Sequence, residues 1–247
     1  MKKILFVFVL LFVWINLSLA QITVAAAANL KDAFTEIVNL YNSENPGAKV
    51  EVVFGSSGKF FQQIVSDAPF DIFFSADNDF PVKVKEQGFA AGEVKPYAIG
   101  QLVLWSSTID VSKGLKILTT PAVTKIAIAN AKLAPYGDRA VQVLNYYKIY
   151  DQAKDKLVIG ENISQTAQYV STGNTDVGFI ALSQAFSPAM KGKGKYFTIE
   201  QKAYSPLVQS FVILKRAALN KEAQKFATFV TGKQAGKILV KYGYKLP

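Results

Sequence analysis

The sequence has 247 residues, of which 50% are hydrophobic and 19% are charged, and it contains neither cysteine nor histidine. The composition excludes collagen-like, low-complexity and disordered chains, and the two missing residue types exclude disulfides, Cys/His zinc sites and Ser-His-Asp catalysis. The net charge of +10 comes almost entirely from lysine, because Arg139 and Arg216 are the only arginines. We interpret it as a solvated surface and predict no nucleic-acid binding, for which arginine is the preferred residue.

The N-terminus has the three parts of an export signal. Lys2 and Lys3 form a charged start, residues 4–17 form an apolar stretch, and a small-x-small cleavage pattern ends at Ala20. An uncleaved anchor is the alternative, since the apolar character continues after this pattern. We predict a cleaved signal peptide over residues 1–20 and a periplasmic location.

The rest of the chain alternates short β-branched runs with amphipathic segments. In the first half, strands are predicted over 22–25, 50–54 and 71–74, and helices over 30–43, 59–66 and 81–87. In the second half, strands are predicted over 102–105, 126–128, 157–159, 177–180 and 208–214, and helices over 138–150, 164–171, 221–231 and 233–242. This pattern predicts an α/β fold with mostly parallel sheets and two domains.

Four predicted strand-to-helix turns have features of anion-binding loops. They cover residues 25–32, 54–59, 133–138 and 160–164. Helix N-termini offer free N–H groups and a favourable dipole, and the small residues of these turns allow close approach to the backbone. Each turn alone is also consistent with a plain connection, but two turns from each half converging in one cleft would surround a small volume with donors.

The innermost positions of these turns are neutral: Asn29, Ser57, Tyr136 and Ile163. We place Asn29 at the N-cap of its helix, where it either caps the helix or offers its amide NH₂ to a ligand. Tyr136 and Ile163 would contribute backbone N–H groups. Such donors suit a fully deprotonated oxyanion, whereas a carboxylate such as Asp77 or Asp138 in the site would favour a protonated ligand.

Several segments together resemble one known family. They are residues 22–30 (ITVAAAANL), 54–58 (FGSSG), 68–77 (APFDIFFSAD), 134–137 (APYG), 176–180 (DVGFI) and 241–244 (KYGY). In this order they resemble the periplasmic molybdate-binding proteins of ABC transporters, within the two-lobed solute-binding class. The resemblance covers the whole chain after residue 20.

The resemblance implies a two-lobed periplasmic-binding-protein-like α/β fold whose chain crosses twice between lobes, near 98–101 and 205–208. Lobe I would contain residues 21–98 and 207–247, and lobe II residues 99–206. Molybdate or tungstate would be the ligand, with no cofactor and no directly bound metal, held by Ala28, Asn29, Ser57, Tyr136 and Ile163. Ala28 and Ala181 stand where some members have threonine and tyrosine donors. The implied partner is a membrane permease, and we expect a monomer that is not an enzyme.

Three other functions remain open at this point. The protein could bind another small oxyanion, such as sulfate or phosphate. A phosphoryl-transfer enzyme could use residues 55–59, although the spacing is not that of a complete phosphate-binding loop. Lysines at 191, 193 and 195 could bind an acidic surface, but an exposed loop with solvated charges is the simpler interpretation.

Overall fold

The computed structural model describes residues 20–247, so the predicted signal peptide lies outside the described residues except for Ala20. Within this range the chain forms ten strands in two five-stranded sheets, with helices packed on both. None of the helices formed by residues 20–247 has the length and apolar character needed to span a bilayer. The predicted α/β class and two-part organisation are confirmed.

Lobe I, as used below, is the sheet with strand order β2-β1-β3-β10-β4 and the helices packed on it. Its elements are β1 (Ala20–Ala27), α1 (Lys31–Glu44), β2 (Ala48–Gly55), α2 (Ser57–Val65), β3 (Ile72–Phe74), α3 (Asp79–Glu86), β4 (Lys95–Gly100), β10 (Leu207–Ile213), α8 (Lys221–Val230) and α9 (Lys233–Lys241). The β1, β2 and β3 strands are parallel, and β10 runs antiparallel to both β3 and β4.

Lobe II is the sheet with strand order β7-β6-β8-β5-β9 and its helices. Its elements are β5 (Leu102–Ser106), β6 (Ile126–Ala129), α4 (Pro135–Tyr146), α5 (Tyr150–Ala153), β7 (Leu157–Gly160), α6 (Ile163–Ser171), β8 (Val177–Ala181), α7 (Leu182–Ala185) and β9 (Lys195–Thr198). Here β5 is the reversed strand. Short 3₁₀ segments cover Ala28–Leu30, Val111–Thr119, Lys154–Lys156, Gln201–Ala203 and Lys215–Ala217.

The register of the parallel strands places the turns of each lobe side by side. Ala27 at the end of β1 pairs with Gly55 at the end of β2. In lobe II, Ala129 at the end of β6 pairs with Gly160 at the end of β7. Because parallel strands end at the same edge of a sheet, the helices that follow them start next to one another. The central strands are apolar on both faces because helices cover both.

Two strands of the structure were not predicted, and one predicted helix is two separate helices. β4 and β9 lie at sheet edges and begin with lysine, so neither has the continuous apolar run that marks a central strand. The predicted helix 138–150 is instead α4, which begins three residues earlier, and the separate α5. The chain turns between them at Lys148, whose φ of 57° lies in the left-handed region.

The chain passes between the two sheets twice within residues 20–247. β4 ends at Gly100 in lobe I and β5 begins at Leu102 in lobe II, and the return runs from the end of β9 to the start of β10. Both passages overlap the predicted crossings near 98–101 and 205–208. The predicted lobe boundaries 21–98, 99–206 and 207–247 stay a prediction.

Candidate functional site

The five predicted site residues line one cavity between the two lobes. Its lining consists of Ala27, Ala28, Asn29, Gly55, Ser56, Ser57, Ala76, Ala134, Pro135, Tyr136 and Ile163. The cavity volume is ≈ 10 Å³, which is about the space of one water molecule, so the residues of the two lobes lie close together here. That the five residues hold an anion stays a prediction.

The first turn differs from its prediction. Asn29 is not the N-cap of α1, because residues Ala28–Leu30 form a 3₁₀ turn and Leu30 holds the cap position. The residue before this turn is Ala27, which has no side chain that could cap it, so the N–H groups at the start of the turn have no side-chain acceptor. The backbone of Ala28 and Asn29 therefore opens on the cavity.

The side chain of Asn29 is engaged behind the cavity. Its Nδ2 donates to Gln209 Oε1 (3.0 Å) and to the Tyr244 hydroxyl (2.8 Å), while its buried Oδ1 has no partner among residues 20–247. The predicted alternative, in which the amide NH₂ faces a ligand, is not the arrangement seen here. An unpaired buried carbonyl oxygen costs free energy, so this orientation of the amide leaves Asn29 incompletely satisfied.

The second turn supplies two serines rather than the single one predicted. Ser57 Oγ accepts from the Ala76 N–H (3.0 Å), so its own hydrogen remains to be donated. Ser56 is the N-cap of α2, yet it makes no cap bond, and its buried Oγ has no partner in the described chain. Sequence reasoning missed Ser56, although an N-cap serine in a glycine-flanked turn is a signal that could have found it.

Lobe II contributes backbone groups alone. Tyr136 is the second residue of α4, after Pro135, and its N–H precedes the first intrahelical hydrogen bond. Ile163 is the first residue of α6, whose N-cap Asn162 accepts from the N–H groups of the second and third residues and leaves the first unoccupied. The Ile163 side chain packs in the core and the Tyr136 hydroxyl accepts from Gln209 Nε2 (3.1 Å), so the donors come from helix position rather than residue type.

No charged side chain belongs to the cavity lining given above. Asp77 accepts from Ser75 Oγ (2.8 Å) and the Phe80 N–H (3.2 Å) outside the lining, and burial raises its pKa. Asp138 pairs with Arg139 and Gln142. Neither of the two carboxylates considered from sequence therefore enters the site.

Ala181, which stands where a tyrosine donor was considered, also lies outside the lining. Its N–H donates to Gln184 Oε1 (3.1 Å). Ala28, in the place of a threonine, lines the cavity but brings only backbone groups. The hydroxyl donors of the site are consequently limited to the two serines.

The lobes are closed around the cavity. Asn29 and Ile163 are only 3% and 4% exposed, and hydrogen bonds cross from one lobe to the other beside them. Ser164 Oγ donates to the Ala28 carbonyl (3.0 Å), and the Gly58 N–H donates to the Leu133 carbonyl (2.8 Å). The site is thus a small volume whose lining has no charged side chain and faces N–H groups from both lobes and hydroxyls from lobe I, which suits a guest that only accepts hydrogen bonds.

Comparisons with known proteins agree with this architecture. The family model "Bacterial extracellular solute-binding protein" matches residues 22–245. The molybdate-binding protein ModA of Azotobacter vinelandii is 38% identical over 92% of this chain and 90% of its own length.

Solved structures give the same result. The Azotobacter vinelandii periplasmic molybdate-binding protein superposes with a TM-score of 0.86 at 35% identity, over 92% of this chain and 99% of that one. The substrate-binding domain of a putative molybdenum ABC transporter from Clostridium difficile gives a TM-score of 0.69 at 31% identity, over 92% and 99%. The resemblance drawn from sequence is confirmed, and the chain belongs to the family of bacterial extracellular solute-binding proteins.

Proposed function

We propose that this protein is the solute-binding component of a molybdate ABC importer, which captures the oxyanion between its lobes and delivers it to a membrane permease. The observation that carries the proposal is the cavity lined by neutral donors from four helix starts. The relatives named for molybdate at 38% and 35% identity support the choice of ligand. Ala28, Asn29, Ser57, Tyr136 and Ile163 would bind it, and we add Ser56.

The energetics favour capture of a dianion by closure. Each hydrogen bond to a charged group contributes about 1.5–3 kcal/mol, and the donors are divided between the lobes, so the full set is engaged only in the closed state. The summed free energy of these hydrogen bonds offsets the cost of removing a dianion from water. Closure and binding are therefore a single coupled step.

The donor set separates classes of anion by chemistry and by size. Phosphate near neutral pH carries a proton that needs a hydrogen-bond acceptor, such as a carboxylate. The cavity lining contains no carboxylate. Sulfate accepts hydrogen bonds only, as molybdate does, so discrimination against it rests on the smaller size of the ion. Tungstate shares the charge and shape of molybdate, and we propose that it binds too.

The remaining features support a binding protein rather than an enzyme. Lys59, which follows the Gly-Ser-Ser-Gly turn, forms an ion pair with Glu161 (2.6 Å) and is not part of the cavity lining. The lysines at 191 and 193 are exposed on a turn and Lys195 is exposed at the start of β9, which fits solvated charges. We propose a monomer in the periplasm, with no cofactor and with the metal bound only as its oxyanion.

The test is thermal unfolding of the protein with molybdate, tungstate, sulfate or phosphate. A ligand bound by the folded state alone raises the melting temperature by mass action. We expect clear increases with molybdate and tungstate, a smaller one with sulfate and none with phosphate. A rise with phosphate that exceeds the rise with molybdate would overturn the proposed ligand.

Calorimetry of two variants tests the site itself. We expect Asn29→Ala and Ser57→Ala each to weaken molybdate binding roughly 10-fold, the value of one hydrogen bond to a charged group. Ser171→Ala, at the exposed end of α6, is the matched control and should bind as the wild type does. Unchanged affinity in both site variants would refute this location while leaving the ligand assignment to the unfolding assay.

A further inference from the structure

One buried amide outside the cavity lining connects the two lobes. Gln209 lies on β10 and is fully buried (0% exposed). Its Oε1 accepts from Asn29 Nδ2 (3.0 Å) and from the Tyr97 hydroxyl (2.9 Å), and its Nε2 donates to the Tyr136 hydroxyl of lobe II (3.1 Å). It therefore touches a proposed ligand residue from each lobe.

The backbone leaves room for this contact at the first passage between the lobes. A Cβ at Gly100 would lie 2.2 Å from the Tyr136 hydroxyl oxygen and 2.5 Å from Gln209 Nε2. A residue with a side chain at position 100 would displace one of these two groups. The hydrogen bond between Gln209 and Tyr136 therefore depends on a glycine at this crossing.

A second group holds Asn29 from the C-terminal segment. The Tyr244 hydroxyl lies 2.8 Å from Asn29 Nδ2, 2.9 Å from the Asn29 carbonyl oxygen and 3.1 Å from Ser183 Oγ. Burial raises the pKa of Tyr97, Tyr136 and Tyr244, so all three phenols stay neutral and each has one hydrogen to donate. The proton order of the network is therefore set by the two amides.

The present order leaves Asn29 Oδ1 unpaired. If both amides turn over, without any other heavy atom moving, Gln209 Nε2 donates to Asn29 Oδ1 and to the Tyr97 hydroxyl, which keeps its bond to the Ser75 carbonyl. Gln209 Oε1 then accepts from the Tyr136 hydroxyl, and the Tyr244 hydroxyl turns its hydrogen from the Asn29 carbonyl to Asn29 Oδ1. In this order the amide NH₂ of Asn29 occupies the position of the unpaired oxygen and requires an acceptor.

We propose that Gln209 is the positioning residue of the anion site: it turns over with Asn29 when the anion binds, so that Asn29 donates to the anion. Because Gln209 also holds the Tyr136 hydroxyl, the bound order is linked to the closed position of lobe II. This inference rests on the proposed function, and it identifies how a residue 180 positions away in the sequence controls Asn29.

The variant that tests it is Gln209→Glu, measured by molybdate calorimetry at about pH 8 and about pH 6. A carboxylate only accepts hydrogen bonds, so it keeps Asn29 Nδ2 turned toward itself and adds negative charge near the dianion. We expect roughly 100-fold weaker binding at the higher pH. Burial raises the pKa of a carboxyl group, so the introduced side chain becomes protonated as the pH falls. The protonated carboxyl has one donor and one acceptor, as the amide does, and we expect it to recover molybdate affinity.

Other titratable groups around Gln209 do not produce this recovery. The phenols of Tyr97 on β4, Tyr136 on α4 and Tyr244 in the C-terminal segment stay neutral over the range. The nearby carboxylate of Asp77 is present in both the variant and the wild type. We expect the molybdate affinity of the wild type to be the same at both pH values. Gln63→Glu on α2, outside the cavity lining, is the matched control and should follow the wild type.

Two further variants complete the test. Leucine has no titratable group, so Gln209→Leu should bind molybdate roughly 10-fold more weakly than the wild type at both pH values. Tyr136→Phe keeps the backbone donor and removes only the hydroxyl, and we expect about 3- to 10-fold weaker binding. If Gln209→Glu does not fold, as judged by circular dichroism, Tyr136→Phe decides the question, and wild-type affinity in it would overturn the inference.

The outcomes separate the two proposals. A wild-type protein that does not bind molybdate refutes the proposed function. A wild type that binds, together with a Gln209→Glu variant of equal affinity, refutes the positioning role alone. Weak binding by Gln209→Glu without recovery at the lower pH indicates a purely structural role and overturns the inference too.

Discussion

The two walls of the cavity present donors of different origin. The lobe I wall offers side chains that are chemically specific, namely the hydroxyls of Ser56 and Ser57 and, in the bound order proposed above, the amide of Asn29. The lobe II wall offers the backbone N–H groups of Tyr136 and Ile163, whose side chains are buried with the core. The comparison shows that one wall is encoded by residue type and the other by the place where a helix starts.

This difference makes opposite predictions for mutagenesis. On the lobe I wall, changing a side chain changes a donor directly. On the lobe II wall, most side-chain replacements leave the donor in place, and only a residue without an N–H removes it. The predictions below use this contrast.

The largest expected effect is that of Ser57→Asp. A carboxylate within a buried, uncharged volume repels a dianion and replaces a donor with acceptors, and like charges brought together cost several kcal/mol. We expect molybdate affinity to fall by more than about 1,000-fold in calorimetry. Ser57→Asn, which is similar in size but neutral, is the control and should lose far less. Comparable losses in both variants would show that volume, not charge, governs this wall.

The second prediction tests the lobe II wall with Ile163→Pro. Proline is favoured at the first position of a helix, and Asn162 already has the extended backbone (φ −147°, ψ 176°) that precedes proline. The variant should fold normally and lose one charge-assisted hydrogen bond, which weakens molybdate binding about 10- to 100-fold. Ile163→Ala retains the N–H and should bind within about 3-fold of the wild type. Equal affinities for the two variants would remove Ile163 from the site.

The third prediction concerns the approach of the two walls. A Cβ at Gly58 would lie 2.9 Å from Leu133 Cα and 2.9 Å from Phe80 Cζ, so Gly58→Ala pushes the lobes apart where the Gly58 N–H meets the Leu133 carbonyl. We expect about 3- to 10-fold weaker binding, because part of the hydrogen-bond free energy is lost on incomplete closure. Small-angle scattering of the molybdate-saturated variant should show a more extended shape than the wild type. Gly92→Ala, with open space around its Cβ, is the control.

The same contrast explains what could be predicted from the sequence. The central strands and the four turns followed from apolar runs ending in small residues, as in the alanines before Asn29. Strands β4 and β9 did not, because each begins with two exposed residues and lacks that run, whereas the other two edge strands, β2 and β7, contain one. Asn29 was assigned to a cap because asparagine is a good capping residue, whereas a 3₁₀ turn moved the cap to Leu30.

Long-range contacts set the limit for the rest of the site. Gln209 and Tyr244 contact Asn29 from 180 and 215 residues away in the sequence. Nothing in the local pattern around either residue indicates that contact, since a glutamine in a strand and a tyrosine near the C-terminus fit many roles. Their function follows only from the tertiary fold that brings β10 and the C-terminal segment behind the first turn.

The smallest effect is expected at the rim of the cleft. Lys59 of lobe I and Glu161 of lobe II form an ion pair across it (2.6 Å), with side chains 51% and 54% exposed. Water and salt screen such pairs, which contribute about 0.2–1 kcal/mol. In a double-mutant cycle of Lys59→Gln and Glu161→Gln, we expect a coupling within that range that disappears at high salt. A loss of about 30-fold or more for either single change would contradict the view that buried neutral donors, not rim charges, hold the closed state.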